Sequence, residues 1–369
     1  MSTHVAVVGA GIFGVTAALE LRRRGHDVSL YDAGPIPHPL AESTDVSKAV
    51  RMDYGADDFY TSHMERALEV WRAWNEVFGE ELFHETGAMF VTRTPMQPGE
   101  FELESFTTLT KRGHALERLD ERSIESRFSL RGHVDGYFNP QGGWAESGRV
   151  VSRLAAKARD EGVSVIENSP ITNLPEADAV VLACGAWISS LVPEIAPCFR
   201  TVGQPVFHID ARPHIFGDVT LPVFGADIAA TGWYGFPRHR DGFVKVANHG
   251  VGRSMHPSSE TDRVVTPEEQ ARLHDFLRES LPVLANASIR KTRVCVYCDT
   301  HDEHFWIAPH PDRPNLVVAT GGSGHAFKFA PLLGGWIADA LEGSVVERFR
   351  WRADLRSPRG EEAARHRQL

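Results

Sequence analysis

Apolar and polar positions follow three rhythms along the chain. His4–Val8 is a short apolar run of strand length, Val15–Arg24 repeats its apolar residues at helical spacing, and Asp27–Tyr31 is a second strand-like run. Gly25 can end the helix in a left-handed conformation, so the opening predicts a complete βαβ unit. Helical spacing returns over Glu65–Phe78 and Arg149–Glu161, while Val163–Glu167 and Ala179–Ala183 predict buried strands that extend the first sheet. Phe83–Val91, Pro205–Ile209, Gly232–Pro237 and Gly242–Ala247 alternate between turns, which suits an antiparallel layer. Leu316–Thr320, a glycine-rich turn and the helical stretch Ala330–Leu341 then resume the opening idiom. One α/β unit is therefore interrupted by a second layer, and after Arg350 a polar Arg- and Glu-rich tail without periodicity is expected to fray.

Within the first unit stands Gly9-X-Gly11-X-X-Gly14. The first glycine permits a tight turn, the second lets a pyrophosphate approach the backbone, and the third lets helix and strand pack closely. The helix N-terminus, at Ile12 and Phe13, then faces the phosphates. Asp32 closes the second strand 18 residues after Gly14; it can accept from both ribose hydroxyls and would repel a 2′-phosphate. FAD or NAD fits this arrangement better than NADP.

Composition narrows the partners. Lys+Arg 39 against Asp+Glu 49 gives a formal charge of -10, which repels phosphate backbones and anionic lipid surfaces, so neither nucleic acid nor membrane is expected. The apolar run Val5–Leu21 is broken by glycines and reads as no export signal. Four cysteines are too few for a disulfide scaffold, and a cytosolic protein with free thiols is expected.

Two of those cysteines lie in Cys295-Val-Tyr297-Cys298-Asp-Thr-His301-Asp302-Glu303-His304-Phe305-Trp306. Spacing alone permits a redox or zinc pair at Cys295 and Cys298. On a strand over Arg293–Tyr297, however, Cys295 shares a face with Tyr297, whereas Cys298 points to the other. No second cysteine pair is at hand, no metal site is assigned, and His301–His304 reads as a polar turn.

Together with the fingerprint, this segment and Ala319-Thr-Gly-Gly322-Ser323-Gly324-His325-Ala-Phe-Lys328-Phe resemble the monomeric sarcosine oxidase family, with its N-methyltryptophan and pipecolate oxidases and, more distantly, fructosyl amino acid oxidases. The resemblance covers nearly the whole chain. It implies an α/β fold with a Rossmann-like FAD-binding domain, discontinuous over 1–85, 137–200 and 291–350. It further implies an inserted antiparallel-sheet substrate domain over 86–136 and 201–290, and leaves 351–369 as a polar tail.

By the same resemblance Cys295 carries FAD as an 8α-thioether beside Tyr297, and His325 and Lys328 match the family's Gly-His-X-Phe-Lys motif. Thirty residues separate Cys295 from His325, as in the family. Ser323, Gly324 and His325 open the last helical region, where backbone N–H groups can stabilise negative charge on a reduced flavin, and Gly322 is expected beside the cofactor with them. Ser43, Thr44 and Lys48 are expected around the cofactor, with Thr44 and Lys48 standing where relatives carry histidine and arginine.

Arg51, in Ser47-Lys48-Ala49-Val50-Arg51-Met52-Asp53-Tyr54-Gly55, matches the residue that binds the substrate carboxylate with two parallel hydrogen bonds. Lys328 is the second cation for that carboxylate. Tyr234, Lys245 and His249 match active-site positions of the substrate domain. Read from its strand alone, Lys245 is either an edge-strand gatekeeper or a functional charge; the resemblance makes it the promoter of the reaction with oxygen.

The implied activity is oxidation of a secondary amine, an N-alkyl or cyclic amino acid, to an imine with hydrogen peroxide as co-product, by a monomer. The rivals are a primary-amine or fructosyl-amino-acid oxidase, an FAD dehydrogenase with another acceptor, and a non-catalytic flavin-binding protein.

Overall fold

A computed structural model of the chain describes residues 3–211 and 221–355. Its first sheet has six strands in the order Trp306–His310, Arg313–Thr320, Ala179–Leu182, His4–Val8, Asp27–Tyr31 and Ser164–Ile166. All neighbours are parallel except the outer pair Trp306–His310 and Arg313–Thr320. The central strand is buried on both faces, which is why it reads as an uninterrupted apolar run. Val5 and Val7 face the helical layer, and Ala6 and Val8 face the second sheet's core.

The helix Ile12–Arg23 starts three residues before its apolar spacing suggests, because Gly14 lets it begin inside the turn. Gly25, at φ 92°, reverses the chain behind it. This helix packs against Ala330–Leu341, and a Cβ on Gly334 would lie 2.4 Å from the carbonyl oxygen of Thr16, so the close crossing requires glycine. Asp58–Phe78 is longer than its periodic part, with Asp57 capping its start by accepting from the Tyr60 amide at 3.1 Å.

The second sheet has nine strands. Eight run in the order Arg253–Ser254, Phe199–Asp210, Phe243–Asn248, Trp233–Arg238, Val223–Ala226, Ala88–Thr92, Asp135–Asn139 and Glu117–Asp120, and Ile289–Thr300 also pairs with Phe199–Asp210. It is antiparallel throughout save for the parallel junction of Val223–Ala226 with Ala88–Thr92. A small antiparallel sheet of Lys48–Val50, Gly143–Ala145 and Phe83–His84 completes the set.

Several expectations are corrected. Ser164–Ile166 is a partly exposed edge strand rather than a buried one, since among the described residues it pairs only with Asp27–Tyr31. Ile289–Thr300 and Asp135–Asn139 are hydrogen-bonded into the second sheet. Of the polar tail, 356–369 lies outside the described residues, but its start is packed: Arg352 is buried, its guanidinium pairs with Asp302 at 2.9 Å, and Trp351 stacks edge-on against Trp306. Among the described residues no helix is long and apolar enough to cross a membrane.

Candidate active site

Two cavities meet at Lys48 and Phe327, which line both. The larger, about 420 Å³, runs from Gly9, Gly11, Ile12 and Phe13 past Asp32 and Ser43 to Gly322. Two glycines of the fingerprint are obligatory. A Cβ on Gly14 would lie 1.7 Å from the carbonyl oxygen of Gly9, and Gly9, at φ 97°, would itself collide with Ala183. Asp32 accepts from the Ala10 amide at 2.7 Å and the Gly34 amide at 3.0 Å. Each of its oxygens keeps a further lone pair for a sugar hydroxyl. Ser43 accepts from the first helical amide, Ile12, at 3.0 Å, which leaves its own O–H free to donate to a phosphate at the positive helix end. Glycine cradle, acidic strand end and helix N-terminus thus fit a dinucleotide.

The smaller cavity, about 70 Å³, gathers Lys48, Arg51, Tyr234, His249, Tyr297, Gly324, His325 and Lys328, with Phe90, Phe224, Ile228 and Phe236 among its apolar walls. Residues from both ends of the chain and from the second sheet therefore converge here. Among the described residues no carboxylate lines it, whereas three cations do. Gly324, at φ 71°, permits the convergence: a Cβ there would lie 2.6 Å from the Tyr297 ring and 2.7 Å from that of His249.

Arg51 is buried. Its guanidinium donates to the Asp53 carbonyl oxygen and lies 5.1 Å from the Phe90 ring centre, 5.6 Å from Phe101 and 5.6 Å from Tyr54. Lys328 stands 4.7 Å from the same Tyr54 ring, so both cations lie close to one aromatic ring. Behind them the Tyr54 hydroxyl bonds His325 Nδ1 at 2.9 Å, and His325 Nε2 contacts the Glu303 carbonyl oxygen at 2.9 Å. A carbonyl only accepts, so Nε2 carries the proton and, in the neutral ring, Nδ1 accepts from tyrosine. The turn at His301–His304 therefore serves to orient His325, and His304 itself bonds the Tyr60 hydroxyl at 3.1 Å.

Cys295 and Tyr297 share one face of their strand, in a cluster with Val202, Val206 and Ala247, while Cys298 faces the opposite core. All four cysteines are free thiols. Cys184 and Cys298 line the larger cavity, but burial pushes both thiols up to about 12. Cys295 has a cation instead: Lys48 Nζ lies 4.0 Å from its sulfur. Burial works against the Lys48 charge, yet Cys295, Glu42, Asp45 and Tyr234 outweigh it and leave the ammonium's pKa raised. The hydroxyls of Tyr234 and Tyr297 interact, and burial pushes Tyr234 up to about 12 and Tyr297 well above the ordinary tyrosine range, so both remain neutral donors.

Four expected residues line neither cavity: Gly14, Thr44, Lys245 and Cys295. Gly14 acts through packing and Cys295 borders the site through Lys48. The Thr44 hydroxyl is buried without a partner among the described residues. Lys245 points beneath the Asp45–Lys48 segment, where its ammonium donates to the Asp45 carboxylate and, at 2.6 Å, to the Ser47 carbonyl oxygen. Both side chains of this pair are 2% exposed. Burial alone would raise the Asp45 carboxyl, but Lys245, Lys48 and Arg293 hold it well below the usual range, while burial lowers Lys245 against the pull of Asp45.

Asp45, Asp53, Tyr54 and Tyr137 were not singled out by sequence. The signal for Asp45 was a lone carboxylate three residues before Lys48 in a segment without secondary-structure period.

The sequence profile of the DAO family, FAD dependent oxidoreductase, matches residues 4–340. A monomeric sarcosine oxidase from Bacillus sp. (strain B-0618) is 27% identical over 361 residues, covering 90% of this chain and 91% of that one. An L-saccharopine oxidase from Schizosaccharomyces pombe is 28% identical over 416 residues, covering 96% and 94%. Among solved structures, a modified fructosyl peptide oxidase from Aspergillus nidulans superposes with a TM-score of 0.83 at 22% identity, covering 100% of this chain and 96% of that one. This last likeness concerns the fold.

Proposed function

The chain belongs to the DAO family of FAD dependent oxidoreductases, and on that premise we propose that it oxidises a small secondary amine bearing a carboxylate, an N-alkyl or cyclic amino acid, and passes the electrons to oxygen. The single observation that carries this reading is the convergence of Arg51 and Lys328 on a cavity free of carboxylates that abuts, at Lys48, the cavity lined by the nucleotide fingerprint. Paired cations in a partly desolvated pocket select an anionic group, and about 70 Å³ favours a compact amino acid over a sugar-bearing one. The sarcosine oxidase among the relatives acts by name on a compact N-alkyl amino acid.

In this reading Arg51 and Lys328 hold the carboxylate and thereby fix the position of the amine. Tyr234 and His249 border the amine and favour its neutral form, which has the free electron pair that oxidation requires. Bound FAD would supply the two-electron acceptor, taking up a hydride equivalent as the amine gives up its N–H proton and becomes an imine, and oxygen would serve as the final acceptor, leaving as hydrogen peroxide. Lys245, held by Asp45, supplies positive potential for the oxygen step from beneath the site. Water hydrolyses the imine after release.

FAD is held, in the same proposal, by Gly9, Gly11, Ile12, Phe13, Asp32 and Ser43 at its nucleotide end, and by Gly322, Gly324 and His325 at the other. It is joined covalently through Cys295, which has an ammonium beside its sulfur. Thr44 contributes from behind Ser43. The six-stranded sheet with its helices forms the FAD-binding domain and the nine-stranded sheet the substrate domain. Free thiols suit a reducing cytosol, and the enzyme acts as a monomer.

Peroxide release with a panel of N-methyl, cyclic, primary and fructosyl amino acids tests the function. Turnover of the first two groups, lost in Arg51→Met, supports it; turnover of primary or fructosyl amines alone selects a rival, and none with any amine leaves a flavin-binding protein. In-gel flavin fluorescence under denaturing conditions, absent in Cys295→Ser and retained in Cys184→Ser and Cys298→Ser, tests the covalent link.

A further inference from the structure

Arg51 reaches the smaller cavity from an irregular segment, and a long side chain on such a segment pays rotamer entropy to hold one orientation. Its guanidinium donates to the carbonyl oxygen of residue 53, so whatever fixes that peptide helps to fix the guanidinium. The second sheet and its adjoining helix supply two anchors. Tyr137, fully buried on Asp135–Asn139, donates to the Asp53 carboxyl at 2.8 Å. Ser105, fully buried on the helix Phe101–Lys111, accepts from the Gly55 amide at 2.7 Å.

The anchors are coupled to the cavity wall. Tyr137 is the direct cross-strand partner of Phe90, whose ring lies under Arg51, and the two rings stack with centres 5.6 Å apart. Phe101, a further aromatic neighbour of Arg51, opens the helix that carries Ser105. The Asp53 carboxyl is fully buried, and its second oxygen has no hydrogen-bond partner among the described residues. An under-satisfied buried carboxyl is costly to keep for packing alone. Burial raises its pKa, with Arg51, the Tyr137 bond and Lys328 opposing.

We propose that Tyr137 and Asp53 are positioning residues that aim Arg51 at the substrate carboxylate. This rests on the assignment of Arg51 as carboxylate binder made above. Removing the tyrosine hydroxyl loosens peptide 53 without opening a cavity, so carboxylate binding weakens while binding of an uncharged isostere does not.

The test titrates flavin-loaded enzyme with acetate and with acetamide, following the visible flavin spectrum, in wild type, Tyr137→Phe and Arg51→Met. The expected result is an acetate Kd raised about tenfold in Tyr137→Phe, the worth of one hydrogen bond to a charged partner, with the acetamide Kd unchanged. An acetate Kd within twofold of wild type in Tyr137→Phe, or an equal weakening of both probes, overturns the proposal provided Arg51→Met does weaken acetate. If Arg51→Met leaves acetate binding intact, the assignment of Arg51 itself falls. Should Tyr137→Phe fail to fold, Ser105→Ala loosens the same segment from its other anchor and is judged by the same criterion.

Discussion

The ammonium of Lys48 stands 4.0 Å from the sulfur of Cys295, brought together across 247 residues of chain. A positive charge at that distance stabilises a thiolate as it forms. We expect Lys48→Met to slow covalent attachment of FAD at least tenfold and Lys48→Arg to restore most of the rate. Mixing FAD-free protein with FAD and following in-gel flavin fluorescence over time checks this, and equal rates in all three proteins would remove Lys48 from the step.

Asp45 and Lys245 form a pair buried on both sides. Breaking such a pair leaves an uncompensated buried charge, so Asp45→Asn is expected to cost roughly 3–5 kcal/mol. Replacing both, as Asp45→Asn with Lys245→Met, removes the stranded charge and recovers much of that loss. Denaturant melts of the two single variants and the double variant measure the coupling.

Burial pushes the imidazoles of His133 and His208 down to about 4, Arg93 adding to the effect at His133 and Asp45 opposing it at His208. In the unfolded chain both titrate near pH ~6.5. The unfolded state therefore binds more protons between those values: stability is full above about pH 6.5, falls as pH drops towards 4, and loses no more from these groups below that. Each histidine carries of order 3 kcal/mol across this window. A series of melts against pH is expected to show the acid limb, and His208→Gln to flatten its share of it.

Gly14 and Gly11 differ in what a methyl group would meet. On Gly14 it would lie 1.7 Å from backbone oxygen, whereas on Gly11 it would touch only the Ser43 hydroxyl at 3.3 Å. Gly14→Ala is accordingly expected to lower stability by about 1–3 kcal/mol and to be purified without flavin. Gly11→Ala is expected to stay within about 1 kcal/mol of wild type yet bind FAD more weakly, because the methyl stands where the pyrophosphate approaches. Melting and the flavin-to-protein ratio separate the two.

The βαβ opening was legible because His4–Val8 is buried on both faces and Gly25 marks its helix end, both of which are local properties. Strand parity likewise placed Cys295 with Tyr297 and Cys298 opposite. Pairings distant in sequence were not legible. Nothing near Lys245 announces Asp45, 200 residues away, and its strand alone left the charge as either an edge-strand gatekeeper or a functional group. The ladder between Ile289–Thr300 and Phe199–Asp210 joins two segments whose burial pattern is equally compatible with either sheet. The tail's polarity hid the packing of Trp351 and Arg352, since a guanidinium can be buried when a partner such as Asp302 is supplied by tertiary structure.

The most direct measurement is anaerobic mixing of the purified flavoprotein with N-methyl and cyclic amino acids, followed by admission of air. Bleaching of the flavin within the mixing experiment, and rapid return of the colour with stoichiometric peroxide, is the expected result. A flavin that stays oxidised with every amine, or that is reduced but does not recover in air, would contradict an amine oxidase.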